Sequence, residues 1–232
     1  MNKSSLLLSA AAGLVCLAGA ASAQVVYNNP YNFGGGGGDC SFNTNCAAAA
    51  GRGDEFAAQQ FTLTRSVVIT SAAFSEIDSG TGPTSANWGF VKADGPGGLP
   101  GTILASGSDS FSSVNFLGTD FGGTVNQEVF GIGTVALGPG TYYFAIQAVS
   151  PVYGVYLGQG SSPFGAAETH DGGATWTFGY ETGPGGSSLG GVAVELFGST
   201  VPEPATWATM LLGLGGIGLA MRRRTTVSAT SV

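Results

Sequence analysis

The clearest indication of the fold is one alternating stretch, Thr141-Tyr142-Tyr143-Phe144-Ala145-Ile146-Gln147-Ala148-Val149-Ser150. Its even-numbered positions, Tyr142 to Ala148, alternate with an odd-numbered set that begins at Tyr143. Successive side chains of a β-strand point to opposite faces, so a period of two residues indicates a strand. Gly138-Pro139-Gly140 stands directly before the stretch and predicts a tight turn leading into it.

Short apolar runs separated by Gly, Pro, Asn and Ser continue on both sides of this stretch. Such runs predict further strands, at Phe56–Leu63, Ser66–Ile77, Asn87–Ala93, Thr102–Ser106, Phe111–Leu117, Glu128–Ala136, Val152–Leu157, Ala174–Phe178 and Gly191–Phe197. In the last of these strands Glu195 falls on the face opposite Val194 and Leu196, so we expect it to face solvent. The pattern contains no convincing long helix. It predicts an all-β domain over residues 56–200, an antiparallel β-sandwich or jelly roll.

The first 23 residues have the organisation of a secretory signal peptide. Lys3 supplies a positive charge, and Leu6–Ala20 is an apolar run long enough for a signal helix. A small-residue cleavage site follows, in which Ala21 and Ala23 precede Gln24. The sequence therefore predicts export and cleavage by signal peptidase before Gln24.

The other end of the chain combines a rigid element, an apolar helix and a basic stop. Two prolines fix the backbone of Val201-Pro202-Glu203-Pro204 in an extended form. Residues 205–221 carry no charge, and 17 helical residues span about 25 Å, the short end of a bilayer crossing. The triplet Arg222, Arg223 and Arg224 favours the cytoplasmic side, which predicts a transmembrane helix over about 205–221 and a short cytoplasmic tail over 225–232.

Residues 201–224 resemble the PEP-CTERM sorting signal of exopolysaccharide-producing Gram-negative bacteria, in the Val-Pro-Glu-Pro element, Trp207, the Gly/Leu-rich span and the arginines. The resemblance implies that an exosortase-type membrane protease processes the chain. It also implies export through the inner membrane, transient anchoring by the C-terminal helix, and delivery to the cell surface or the exterior. Two turn-and-strand phrases, Gly97–Ala105 and Leu137–Ile146, look like those of β-sandwich modules in PEP-CTERM proteins.

Charge restricts the partners of the exported part. Residues 24–200 contain three basic and 13 acidic residues, a net charge of −10. An acidic surface repels nucleic acid and anionic lipid, so we expect no nucleic-acid partner. A solvated exterior accounts for most of these carboxylates, and Ca²⁺ binding by some of them is the alternative.

Residues 24–55 form a Gly-rich lead-in before the body, which we expect to begin near Phe56. Five successive glycines, Gly34–Gly38, disfavour a strand or helix there. Cys40 and Cys46 enter an oxidising compartment on export, and we predict a disulfide between them. The other interpretation is a metal site, but that needs more ligands, and His170 is the only histidine. We therefore predict no metal centre.

Signatures of catalysis are scarce. No G-x-S-x-G elbow accompanies His170, which lies in a polar turn and is expected to be a solvated or hydrogen-bonded loop histidine. Arg52-Gly53-Asp54 is a three-residue match to an adhesion motif that arises readily by chance. We predict no catalytic residue. Paired carboxylates could cleave glycosides, but their separation decides that mechanism, and the candidates are Glu76, Asp78, Glu128, Glu168, Asp171 and Glu181.

Aromatic side chains suggest a ligand. Sugar rings stack on such side chains, because C–H faces meet π-faces. The candidates for glycan stacking are Trp88, Tyr143, Tyr153 and Trp176, with burial in the core as the alternative for each. In the strand Thr141–Ser150 we expect only one of the faces marked by Tyr142 and Tyr143 to point inward.

These observations favour an exported cell-surface or extracellular-matrix protein that is not an enzyme, needs no cofactor and associates with exopolysaccharide. The alternative is a secreted hydrolase that acts on polysaccharide through two carboxylates. A third interpretation is a structural coat protein without a ligand.

Overall fold

Eleven strands form the body of the computed structural model, which describes residues 23–34, 43–44, 55–151, 155–162, 165–179, 191–201 and 210–217. The strands are β1 (Gln24–Asn29), β2 (Phe56–Leu63), β3 (Val67–Asp78), β4 (Ser85–Lys92), β5 (Ile103–Asp120), β6 (Gly123–Leu137), β7 (Gly140–Val149), β8 (Val155–Leu157), β9 (Ala166–Thr169), β10 (Thr177–Phe178) and β11 (Val194–Thr200). Every pair of neighbouring strands runs antiparallel. The all-β, antiparallel prediction is therefore confirmed.

All eleven strands belong to one sheet, in the order β1-β11-β3-β6-β5-β4-β7-β2-β9-β10, with β8 paired to β3. Strand β5 joins its two halves. Residues 103–110 of β5 pair with β4, whereas residues 111–120 pair with β6. On one side of β5 lie β6, β3, β11, β1 and β8, which we call the β3 half. On its other side lie β4, β7, β2, β9 and β10, which we call the β7 half. The body is thus one curled sheet, which differs from the two separate sheets of the predicted sandwich.

The sequence predicts two separate strands, Thr102–Ser106 and Phe111–Leu117, where the structure has the single strand β5. The polar residues between these two intervals continue the ladder, since Gly107 pairs with Trp88 and Ser110 with Ser85. Strand β5 is largely exposed along its length, so it needs no apolar alternation there.

The core lies between the two halves of the sheet. Phe74 and Phe130 of the β3 half belong to the same buried cluster as Phe90 and Phe144 of the β7 half. Ring centroids are 6.3 Å apart for Phe74 and Phe130, and 5.0 Å apart for Phe90 and Phe144. Each such side chain stabilises the fold by about 1.5–3 kcal/mol through burial.

A second, smaller apolar layer covers the outer face of β7. Tyr143 and Ala145 pack there with Ala58, Val91 and Ala167, and Leu99 and Trp176 contact this cluster. Tyr142 points into the main core, yet Tyr143 is also fully buried. Only the face of Tyr142 points into the main core, as expected, but the opposite face is also covered. The loop around Gly98 and the segment around Trp176 cover the other face.

The body begins earlier than the expected start near Phe56. Strand β1 pairs with β11 from Gln24 onward, so part of the Gly-rich lead-in belongs to the sheet. After β1, the Tyr31 hydroxyl and the Gly34 N–H both donate to Asp120 Oδ2, at 3.0 and 2.7 Å. These bonds fix the chain against the turn between β5 and β6.

The C-terminal segment is described only in part. Residues 210–217 are helical and exposed, within the predicted helix over 205–221. Among the described residues, no helix is both long and apolar enough to cross a membrane. The predicted signal helix, Ala21, the Pro202–Pro204 element, the arginines at 222–224 and both cysteines lie outside the described residues.

Candidate functional site

Trp176 separates two grooves on the outer side of the β7 half. One groove, of about 90 Å³, is lined mainly by apolar side chains that include Val91, Ile103 and Ala145. The other, of about 400 Å³, is lined by the loop from Gly95 to Gly101 and by residues 173–176. The Trp176 ring is half-buried and forms a wall of both grooves.

A hydrogen-bonded turn positions Trp176. Asp171 Oδ1 accepts from the Thr169 hydroxyl at 2.7 Å and from the Thr175 N–H at 2.8 Å, and Asp171 Oδ2 accepts from the Thr175 hydroxyl at 2.6 Å. These bonds, first of all those from Thr175, lower the pKa of Asp171 to about 2. Gly172 and Gly173 have φ values of 72° and 93°, which glycine adopts without strain. The turn is therefore held tightly and is anionic at neutral pH.

The loop on the other side of the larger groove is also fixed by hydrogen bonds. Asp94 Oδ1 accepts from the Thr102 N–H at 2.7 Å, and this bond is the main cause that lowers the pKa of Asp94. The Tyr143 hydroxyl donates to the Gly98 carbonyl at 3.1 Å from beneath the loop. Asp94 and Asp171 therefore lie just before the two segments that line this groove.

Phe178 extends the aromatic surface. It lies two residues after Trp176, at the end of β10. Its side chain is 61% exposed, and its ring lies 3.8 Å from the position of a Cβ built on Gly97. We call Trp176 and Phe178 the aromatic strip. Phe178 was not among the predicted stacking residues. It could have been identified from the sequence, because it is an aromatic residue two positions after Trp176 in the predicted strand Ala174–Phe178.

Two of the other stacking candidates, Trp88 and Tyr143, are buried. Trp88 is only 6% exposed, belongs to the main core, and donates through Nε1 to Asp109 Oδ2 at 2.7 Å. Tyr143 is fully buried, and its hydroxyl accepts from Gln60 Nε2 at 2.9 Å. Burial is incompatible with stacking on a sugar, which corrects the prediction for both residues. Tyr153 lies outside the described residues.

Three acidic side chains meet at one end of the core. Glu76 and Asp78 of β3 are 0% and 6% exposed, and Glu128 of β6 is 2% exposed. The register between β3 and β6 places Asn126 opposite Glu76 and Glu128 opposite Phe74, a core residue. Asn126 Nδ2 donates to Glu76 Oε1 at 3.1 Å and to Asp78 Oδ2 at 2.8 Å. We call Glu76, Asp78 and Glu128 the acidic cluster.

Burial dominates the electrostatics of the acidic cluster. It raises the pKa of Glu76 to about 9, with the nearby charges of Asp78 and Glu128 adding to the rise. Burial and the charge of Asp78 raise the pKa of Glu128 to about 7. The predicted glycosidase alternative requires carboxylates that a substrate can reach, and these three point into the core.

His170 is a hydrogen-bonded loop residue, as expected. Its Nδ1 lies 2.8 Å from Glu55 Oε1, and its Nε2 lies 3.7 Å from Glu168 Oε1. Both carboxylates are buried. Glu168 lies in β9, a strand that the sequence analysis interpreted as part of a polar turn.

A family model for the PEP-CTERM protein-sorting motif matches residues 200–224. This chain carries the PEP-CTERM sorting motif. The match confirms the resemblance drawn from the Val-Pro-Glu-Pro element, and it supports an exported protein that is sorted by exosortase, a membrane protease. No curated protein and no solved structure matches the chain.

In this PEP-CTERM protein the motif follows the sheet without a spacer. Strand β11 ends at Thr200, where the match begins. The Val201 N–H still donates to the Ser66 carbonyl, at 3.0 Å. The sorting motif therefore leaves the body directly from the end of β11, in the β3 half.

Proposed function

We propose that this PEP-CTERM protein is a non-enzymatic protein of the cell surface or extracellular matrix that contacts exopolysaccharide through the aromatic strip. The observation that carries the proposal is the position of Trp176, whose ring borders two grooves on the outer side of the sheet. Its indole offers an apolar face together with an N–H donor, a combination suited to a sugar ring. The sorting motif supports delivery to a compartment where polysaccharide is present.

The charges around the grooves indicate the kind of polysaccharide. Asp94 and Asp171 are both held in the charged form by the hydrogen bonds that lower their pKa values. The exported residues carry a net charge of −10. A uronate-rich chain would be repelled by this surface, so we propose a neutral polysaccharide as the ligand.

Affinity electrophoresis of the full chain through gels containing neutral or uronate-rich polysaccharide tests this proposal. We expect the neutral gel to retard the protein, and Trp176→Ala to weaken binding about tenfold, equivalent to about 1.4 kcal/mol for one stacking contact. Tyr156→Ala is the matched control, because Tyr156 is 39% exposed but lies in β8, in the β3 half. Equal loss in both variants, or no retardation of the wild type, would refute the assignment.

The non-enzymatic part of the proposal has its own assay. Prolonged incubation with the retarding polysaccharide should release no new reducing ends. Release that Glu76→Gln or Glu128→Gln abolishes would instead establish the hydrolase alternative, in which paired carboxylates act as acid and base.

A further inference from the structure

Another groove, of about 250 Å³, lies on the outer side of the β3 half. Its floor crosses four neighbouring strands, with Asn28 in β1, Glu195 in β11 and Gln127 in β6 among the lining residues. Glu195 stands between Val194 and Leu196, which belong to the main core, so its side chain lies on the opposite, outer face. We call this cavity the Phe33 groove, after the aromatic residue that forms one of its walls.

Phe33 is exposed and yet held in a fixed position. Its side chain is 53% exposed. The Tyr31 ring contacts it edge-on, with centroids 4.9 Å apart, and a Cβ built on Gly118 would lie only 3.0 Å from it. The backbone on both sides is tied down, since the Tyr31 hydroxyl and the Gly34 N–H both donate to Asp120 Oδ2. A ligand that stacks on this ring therefore does not have to order it first, which favours binding.

The floor of the Phe33 groove offers hydrogen-bonding groups beside this ring. Gln127 Nε2 donates to Glu195 Oε2 at 3.0 Å, and Asn115 Nδ2 donates to Gln127 Oε1 at 3.3 Å. These bonds orient the Glu195 carboxylate, which can accept about four hydrogen bonds and so retains capacity for a ligand. Asn28 is exposed and adds an amide group. An apolar ring face next to a carboxylate and an amide suits a sugar, whose C–H groups stack while its hydroxyls donate and accept.

We propose that the Phe33 groove is a second saccharide site, which binds one unit of a neutral polysaccharide stacked on Phe33 and hydrogen-bonded to Glu195 and Asn28. The choice of ligand rests on the proposed function. The groove is smaller than the 300–1,000 Å³ of pockets for drug-sized ligands, so it suits a single sugar unit. The Gly34 N–H is the main cause that lowers the pKa of Asp120 behind the Phe33 wall. With Glu195, this charge disfavours a uronate.

The pairing of the strands disfavours a peptide as the ligand. A peptide that extends a sheet needs a strand with an unpaired edge. In the floor of the Phe33 groove, β11, β3 and β6 each pair with a strand on both sides. The groove therefore recognises its ligand through side chains alone.

Two sites would make the protein bivalent. The aromatic strip lies on the outer side of the β7 half and the Phe33 groove on the outer side of the β3 half, with the core between them. Because they face away from each other, the two sites can hold two different polysaccharide chains at once. The protein then crosslinks the polysaccharide of the matrix.

Affinity electrophoresis of the full chain through gels containing dextran, galactomannan or hydroxyethyl cellulose compares the two sites. We expect at least one gel to retard the wild type, Phe33→Ala to weaken binding about fivefold, and the double variant Phe33→Ala, Trp176→Ala to lose retardation. Glu195→Gln keeps the shape of the floor and removes its charge, so it should weaken binding about threefold. Phe116→Ala is the matched control, because Phe116 is 68% exposed but does not line the groove.

The outcomes separate this inference from the proposed function. Wild-type retardation of Phe33→Ala and Glu195→Gln, with loss only in Trp176→Ala, would overturn the second site and leave the aromatic strip standing. Loss only in the Phe33 groove variants would support this site and refute the role of Trp176. Retardation in none of the gels, or equal loss in Phe116→Ala, would overturn the assignment.

Light scattering tests crosslinking directly. Mixing the wild type with the retarding polysaccharide should raise the scattered intensity about twofold or more, whereas Phe33→Ala and Trp176→Ala should each abolish the rise. Each single variant still binds through its other site, so loss of affinity alone does not account for that result. A wild type that is retarded in the gel but leaves the scattering unchanged would contradict bivalent binding.

Discussion

The hydroxyl of Tyr143 provides a direct test of the second apolar layer. Tyr143 is fully buried on the outer face of β7, where its hydroxyl donates to the Gly98 carbonyl and accepts from Gln60 Nε2. Burial raises the pKa of this tyrosine, as expected for a phenol that is withdrawn from water. Substitution Tyr143→Phe keeps the ring and removes only these two hydrogen bonds.

The expected cost follows from the bonds that are lost. A hydrogen bond contributes a net 0.5–1.5 kcal/mol, so two of them give about 2 kcal/mol of unfolding free energy. Gln60 and Gly98 are partly exposed, so water replaces the hydroxyl as their hydrogen-bond partner. The loss of unfolding free energy is therefore no larger than this value. For a body of 177 residues this corresponds to a decrease in Tm of about 4–8 °C. Tyr143→Ala should cost more, about 3–5 kcal/mol, because it also empties the ring position.

Urea denaturation monitored by circular dichroism measures these differences. Thr62→Ala is the matched control, since its hydroxyl takes part in an exposed hydrogen bond to Thr141 at 3.2 Å. We expect that control to stay within about 0.5 kcal/mol of the wild type. If Tyr143→Phe is equally close to the wild type, the hydroxyl is solvated and the loop at Gly98 does not cover it.

Two further outcomes can be measured. The folded-state pKa of Asp171 is lowered from 3.8 to about 2, so its bonds stabilise the turn above pH 3.8 and are lost as pH falls towards about 2. Trp176 fluorescence should report this acid transition, Asp171→Asn should abolish it, and an unchanged transition in that variant would show that another group is responsible. For the sorting motif, mass spectrometry of the mature protein from its host should show loss of Arg222–Arg224, and Pro202→Ala with Pro204→Ala should retain them because the extended element is no longer rigid. Mature wild-type protein that keeps the three arginines would contradict processing by exosortase.

Local patterns predicted most of the strands. The interval Phe56–Leu63 matches β2, and the alternating stretch from Thr141 matches β7 to within one residue at each end. Strand β9 was missed because Ala166–Thr169 is short and ends in polar residues, and it is a strand through its pairing with β2 and β10. Strand β1 was missed for the same reason, since its partner β11 lies at the other end of the body. Pairing between distant segments is information that local periodicity does not contain.

The candidate sites show the same limit. Trp176 was identified from residue type, but its exposure depends on how the loop near Gly98 packs beside it. Glu76 and Asp78 were among the candidate carboxylates taken from the sequence. Glu128 joins them only through the β3–β6 register, which the sequence did not reveal. The convergence of these three buried carboxyl groups therefore became visible only in three dimensions.

The pairing of β1 with β11 has a consequence for the order of events at the membrane. Gln24 lies opposite Gly198, so the first residue after the predicted leader cleavage site and the start of the sorting motif emerge side by side. Strand β11 also fills the place between β1 and β3, which stays vacant until the final segment of the chain has been translocated. We therefore expect the sheet to be completed only as the sorting motif reaches the bilayer, so that an exosortase would meet its cleavage segment beside a domain that has just closed.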